Sequence, residues 1–267
     1  MTAPRCLVLR LAGPLQSWGG PSRFNRRETL GEPTKSGLVG LLAAAQGRRR
    51  QDPIKDLLGL TFGVRTDQPG TLLRDFHTVA DYRGRGLPTA TVDAKGLQKR
   101  RRTGASQLTH RFYLQDAVFV AAVEAPAPVL STLVDAVRSP AFPLALGRRA
   151  CPPAHPLLLA APDGTPTWPG RAYDVLSAVG WQAGPAQRAA AQRCRPRPRM
   201  IDLPVTLDDP AGDDVRMDLP RSFDPRERSF TTRRVCQTWV HLPPPYEVPA
   251  DAHDDPSPHD PFALLGW

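Results

Sequence analysis

The densest chemistry in the sequence is cationic: Lys99-Arg100-Arg101-Arg102 run together. Four adjacent like charges repel one another on a bare surface and become favourable against phosphates. They lie in residues 80–110, a Gly- and Thr-containing stretch that also carries Arg83, Arg85 and Lys95 and few apolar residues. A strand pair with so little to bury is marginal in water, so a partner is expected to order it. A second cationic group precedes a predicted helix. Arg23, Arg26 and Arg27 occupy the polar loop 12–33, and Pro33-Thr34-Lys35-Ser36-Gly37 opens the helix. The free N–H groups and positive dipole end of such a helix suit a phosphate, held by Lys35 and Ser36. Capping and surface chemistry would use the same residues. Arg111 begins a later strand, and Gly147-Arg148-Arg149 offers a close backbone approach with two guanidinium groups beside it. Trp18 is suited equally to stacking on a base and to anchoring a core.

Two other chemistries have to be weighed. His77, Tyr82, Lys95 and His110 supply the residue types of metal-independent RNA cleavage: a general base, a general acid and a cation for the phosphorane. His77 also sits near Asp75, where a hydrogen-bonded structural histidine is the commoner outcome. Nucleotide hydrolysis has no support, because the Gly-x-x-x-x-Gly-Lys spacing is absent. The four cysteines (Cys6, Cys151, Cys194, Cys236) form no Cys-x-x-Cys pair. That speaks against a zinc site or a disulfide scaffold and fits a reducing cytoplasm; no metal or cofactor is expected.

These residues need elements to position them. Cys6–Leu11 reads as a buried strand closed by Gly13-Pro14. In the helix that follows, Leu38, Leu41, Leu42 and Ala45 share a face and Gly47 stands where a C-terminal cap belongs. Residues 53–58 suggest a short second helix. Strands are predicted over 60–65 and 72–79, joined by Asp67-Gln68-Pro69-Gly70, and again over 111–114 and 117–124. A helix is predicted over 128–138 between Pro126 and Pro140, then a strand over 142–146. Strand–helix–strand–strand–helix–strand is the order of a ferredoxin-like, α+β unit, which also underlies the RNA recognition motif. Residues 80–110 form an insertion within it. Beyond Cys151 the pattern weakens: strands are predicted over 199–207 and 230–242 around a Pro/Asp turn region, with helical pieces over 172–179 and 187–192. The expected organisation is residues 1–150 as an RNA-binding domain, 151–242 as a smaller, loop-rich, mainly β region, and 243–267 as a disordered tail.

Composition bounds the rest. The chain has 267 residues and a formal net charge of +9. Residues 1–111 carry +12, residues 112–242 carry +2, and residues 243–267 carry −5 with no Lys or Arg. A basic front half points to a polyanion, or to a well-solvated surface. No stretch approaches the roughly 20 apolar residues a membrane span requires. The start, Met1-Thr2-Ala3-Pro4-Arg5, lacks the profile of a secretory signal. Pro is abundant at 31, with 20 in residues 151–267, so short strands rather than long helices are expected there.

Six blocks in order resemble one family. They are Leu9-Arg10-Leu11-Ala12-Gly13-Pro14-Leu15-Gln16-Ser17-Trp18-Gly19, Pro33-Thr34-Lys35-Ser36-Gly37-Leu38-Val39-Gly40-Leu41-Leu42, Phe62-Gly63-Val64-Arg65, Asp75-Phe76-His77-Thr78, Arg111-Phe112-Tyr113-Leu114-Gln115-Asp116-Ala117 and Leu146-Gly147-Arg148-Arg149-Ala150-Cys151-Pro152. Together they resemble the CasD family, a subunit of Cascade, the type I-E CRISPR surveillance complex. The resemblance spans residues 5–160 and returns faintly at Leu219-Pro220-Arg221-Ser222-Phe223. It implies a ferredoxin-like domain with a protruding β-hairpin thumb, which by position is residues 80–110, and a smaller C-terminal part. It implies a role without catalysis: holding the 5′ handle of the CRISPR RNA at one end of the assembly, beside the backbone subunit CasC and the large subunit CasA. Target DNA is a further partner within such a complex. Relatives in another CRISPR subtype process precursor RNA, whereas in the type I-E family a separate subunit makes that cut. The tail from about 243 lies beyond the recognised pattern.

Overall fold

The structure is a computed structural model describing residues 3–20, 26–79, 88–92, 98–100, 107–224 and 226–246, with backbone alone for 88–92, 98–100 and 107. In chain order the strands are β1 (Arg5–Ala12), β2 (Leu15–Gln16), β3 (Arg26–Arg27), β4 (Thr61–Gln68), β5 (Thr71–Val79), β6 (Pro88–Val92), β7 (Gln98–Arg100), β8 (Gln107–Gln115), β9 (Val118–Glu124), β10 (Thr167–Pro169), β11 (Ile201–Asp208), β12 (Asp214–Ser222) and β13 (Ser229–Leu242). The helices are α1 (Lys35–Ala45), α2 (Lys55–Leu58), α3 (Ala127–Arg138), α4 (Ala172–Ala178) and α5 (Pro185–Arg193). No helix among the described residues is long and apolar enough to cross a membrane.

A seven-stranded antiparallel sheet runs β10-β1-β9-β4-β11-β13-β12. Its central strands are largely buried on both faces, so β9 and residues 6–9 of β1 read as continuous apolar runs rather than alternating ones, with Arg10 interrupting β1. Leu7, Leu9, Leu11, Phe119, Ala121 and Val123 point into one core, which α1 and α3 cover with Leu38, Leu42, Leu130 and Leu133. Cys6, Val8, Val120 and Ala122 point into the other, covered by Val175 and Leu176 of α4. Thr34 caps α1, its hydroxyl accepting from the Gly37 N–H at 3.1 Å, and Gly47 follows the helix at a φ of +77°.

Three placements differ from expectation. Residues 142–146 form no strand. Pro140 and Pro143 withhold backbone donors there, and the place beside β1 goes to β10, with Leu158 bridging Leu9. The supposed Pro/Asp turn region contains β12, an edge strand that tolerates Pro220 and pairs with β13. The strands of the second half are not all short, since β13 runs for 14 residues. Its neighbour β11 pairs with β4, so residues 201–242 continue the sheet begun by residues 5–124.

A second, smaller sheet is built on β8. It pairs with β5 along nine residues on one side and with β2 and β3 on the other. Further along the chain, β6 and β7 pair antiparallel inside the insertion expected from the sequence.

Candidate nucleic-acid interface

The β5–β8 pair forms an arm, and its register sorts side chains onto two faces. Directly paired residues share a face and neighbours along a strand alternate. Asp75, Arg111 and Arg27 make one row across β5, β8 and β3; Phe76, His110 and Arg26 make the next row, on the opposite face. Arg74 pairs with Phe112 on the Phe76 face, and Arg26 also stacks on Phe112, its guanidinium carbon 4.9 Å from the ring centroid. Phe76 meets His110 edge-on at 5.5 Å. Phe76 and Leu72 are 60% and 64% exposed, far more than a core strand would permit. This face therefore presents rings and guanidinium groups side by side, the combination that grips stacked bases and phosphates.

Holding that arm against the main sheet falls to residues expected to touch a ligand. Trp18 is fully buried, and its indole N–H donates to Gln16 at 3.1 Å. The Gln16 amide in turn donates to Leu11 at 2.9 Å and Ala117 at 2.7 Å, tying the arm's base to β1 and the start of β9. Trp18 is thus the core anchor of its two options. Gly37 lies against it: a Cβ there would sit 2.7 Å from the indole. Gly147 makes its close approach to protein, since at a φ of +87° its α-carbon faces the Ser17 carbonyl. Arg148 donates to the carbonyls of Phe112 at 3.1 Å, Arg27 at 2.8 Å and Glu28 at 3.2 Å, and stacks on Tyr113 at 4.9 Å. It fastens β3 onto β8.

Lys35 requires a correction. Its side chain is 8% exposed, and Nζ donates to Asp208 and to the Leu60 carbonyl, each at 2.8 Å. The expected anion slot at the start of α1 is filled by protein: the Lys35 N–H donates to the Asp218 carboxylate at 2.8 Å. Arg233 then joins the two acids, binding Asp218 through two N–H groups and Asp208 through a third. A helix N-terminus favours a carboxylate as readily as a phosphate. Ser36 is half-buried, its hydroxyl 3.2 Å from that of Thr34. The phosphate-binding role expected for Lys35 is therefore withdrawn.

Of the remaining expected contacts, Arg26, Arg27 and Arg149 are exposed, although Arg26 also pairs with Glu28 at 2.7 Å. Arg111 is half-buried with its Nε lacking an acceptor. Arg23, Arg83, Arg85, Lys95, Arg101 and Arg102 lie outside the described residues, as does Tyr82; Lys99 and Arg100 belong to β7, described by its backbone. His77 approaches Asp75 at 3.7 Å, but pairs with Thr109, so it and His110 stand on opposite faces of the arm. Arg74, Phe76 and Phe112 carry the exposed face without having been singled out beforehand. The sequence of Thr71–Val79 held no periodic signal for this, since its apolar residues fall on both faces of the strand.

A family model described as CRISPR-associated protein (Cas_Cas5) matches residues 6–236. The chain belongs to this Cas5 family. It is 39% identical over 168 residues to the CRISPR system Cascade subunit CasD of Escherichia coli (strain K12), a match covering 57% of this chain and 69% of that protein. Among solved structures it is similar to a chain of a CRISPR RNA-guided surveillance complex, with a TM-score of 0.70, 35% identity, and 89% and 91% of the two chains covered. A second likeness, to a structure described as a Cas protein, has a TM-score of 0.60 and 32% identity over 91% of this chain and 100% of that one. For a Cas5 protein the motif residues now divide by role. Gln16, Ser17, Trp18, Thr34, Lys35, Gly37, Gly147 and Arg148 hold the arm and α1 in place, and the exposed cations and rings lie on the surface they support.

Proposed function

We propose that this Cas5 chain is a non-catalytic, RNA-binding subunit of a CRISPR surveillance complex. It would hold the 5′ handle of the CRISPR RNA and close one end of the assembly, beside CasC and CasA, with target DNA passing within the same complex. The observation that carries this is the arm face on which Arg26, Arg74, Phe76 and Phe112 stand together, exposed or half-buried. In this reading the order β10-β1-β9-β4, with α1 and α3 on one face, is the ferredoxin-like unit. Residues 80–110 are its thumb, and Lys99–Arg102 clamp the RNA from there. Residues 1–150 supply the RNA surface and 151–242 brace it; the tail expected over 243–267 lies, from residue 247 on, outside the described residues. Arg27, Arg111 and Arg149 add phosphate contacts, while base pairing, not this chain, reads the target.

The test is a salt titration of the full chain with repeat-derived handle RNA. Phe76→Ala should weaken binding by about 1–3 kcal/mol for each base it stacks, with the salt slope retained. Arg27→Gln with Arg149→Gln should lower the slope by roughly 0.7 for each phosphate no longer neutralised. Affinity and slope unchanged in both variants would refute the assignment. One specific cut of repeat RNA in chelator, abolished by His77→Ala, would instead establish the endoribonuclease.

A further inference from the structure

A second cationic surface lies on the other side of the main sheet. Residues 182–201 contain five arginines and no acid. They include α5, which buries none of its side chains and so contributes little to the core that would explain it. Arg193 and Arg195 are exposed, and the hydrogen bonds their side chains make go to the carbonyls of Ala189, Gln192 and Cys194 rather than to carboxylates. Pro196 and Pro198 flank Arg197, which limits the backbone freedom lost when the segment engages a partner.

Arg188 of α5 continues this surface inward to Arg10 of β1. The two guanidinium groups donate to successive carbonyls, Arg188 to Trp181 at 2.8 Å and Arg10 to Gln182 at 3.4 Å. Each leaves a buried Nε with no acceptor. Burial, and then the charge of Arg188, hold the Arg10 guanidinium below its ordinary value, with Asp67 opposing. Asp67 is already committed, bound by both arms of Arg65 at 2.7 and 2.8 Å and by the Gln182 N–H at 2.6 Å. Two half-buried cations therefore stand together with unfilled donors, and an anion with several acceptor oxygens would satisfy both.

We propose that Arg10, Arg188, Arg193, Arg195 and Arg197 form a second phosphodiester-binding surface, engaging a nucleic-acid backbone separate from the RNA held at the arm. Arg10 alternates with Leu9 and Leu11, which point toward α1 and α3, so this surface and the packed base of the arm occupy opposite sheet faces. The proposal does not depend on handle binding, and the experiment reads the two apart. The full chain is titrated with a 20-base-pair duplex DNA, with a 20-nucleotide RNA lacking the repeat, and with handle RNA. In Arg193→Gln/Arg195→Gln/Arg197→Gln, binding to the duplex or to the unrelated RNA should weaken about tenfold, the slope falling by roughly 0.7–0.9 for each phosphate no longer neutralised. Handle RNA affinity should stay within twofold. The probe that weakens identifies the strand type. For the inner pair, inorganic phosphate at fixed ionic strength should raise the melting temperature of the native chain and not that of Arg10→Gln/Arg188→Gln. Unchanged binding of both probes, or a parallel weakening of handle RNA, would each overturn the proposal. A native melting temperature indifferent to phosphate would remove the inner pair from it.

Discussion

Replacing Lys35 separates a ligand contact from a structural one. Lys35→Met keeps the unbranched apolar stem of the side chain, one atom shorter, and removes its charge. Two hydrogen bonds of the ammonium go, to Asp208 and to the Leu60 carbonyl. Losing one partner of a buried ion pair costs about 3–5 kcal/mol. Asp208 retains Arg233 and the Phe62 N–H, which donates to it at 2.9 Å, so the lower end applies, about 3 kcal/mol. At about 2–4 °C per kcal/mol for a domain of this size, the melting temperature should fall by roughly 6–12 °C. A double-mutant cycle with Asp208→Asn should give a double variant less destabilised than the two single effects added together, because the partners share one network. The exposed controls Arg27→Gln and Arg149→Gln should stay within about 0.5 kcal/mol of the native chain by denaturant unfolding while weakening handle RNA. Lys35→Met should do the reverse at temperatures where it is folded. If it unfolds at the native midpoint but loses RNA affinity and salt slope, the buried pairing of Lys35 is wrong.

Gly37→Ala forces a methyl to within 2.7 Å of the Trp18 ring and should cost about 1–3 kcal/mol, read by thermal unfolding and by a shift in tryptophan emission. Arg65 is fully buried, forks onto Asp67 and donates to the carbonyls of Leu176, Val179 and Gly180 at the end of α4. Lysine cannot reproduce that fork, so Arg65→Lys should lose about 3 kcal/mol or more in denaturant, and an unchanged midpoint would refute the capping role. Burial, with Glu124 and Asp174 adding to it, pushes the Cys6 thiol up to about 12. The folded chain then holds that proton more tightly than the unfolded one. Its contribution is complete below the ordinary thiol range and is lost as pH rises toward 12. A thiol reagent at pH 8 should modify exposed Cys194 and, more slowly, Cys236, leaving Cys6 and Cys151 until the chain unfolds; rapid reaction of all four would contradict the burial.

Local pattern carried most of the elements. The apolar run at Cys6–Leu11 and the Leu38–Leu42 face with Gly47 behind it each state their structure within a dozen residues; the two strands flanking the Pro69-Gly70 turn were legible too, but not that β4 joins the main sheet while β5 pairs with β8 in the other. The family blocks were legible as well, because they are contiguous. β12 was not, since Asp214, Asp218 and Pro220 look like turn residues until β13 pairs with Asp214 and Pro220 and Arg233 neutralises Asp218. The missing strand over 142–146 has the same origin: the place beside β1 is awarded by competition, and β10 holds it.

Roles within the site divide along that line. Sequence alone determined where the charge lies, +12 in residues 1–111 and −5 in the tail, and which motifs recur in order. Only the tertiary structure decided which cations are free to meet a ligand. A lysine at the start of a helix looks the same in sequence whether it faces solvent or an acid 173 residues away, as Lys35 does. Trp18, Gly147 and Arg148 likewise suit ligand contact by type and serve as anchors, whereas Phe76, apolar by type, stands exposed on the arm. Charge and periodicity are local properties of the chain. Exposure depends on long-range pairing, and that is settled when the sheet closes.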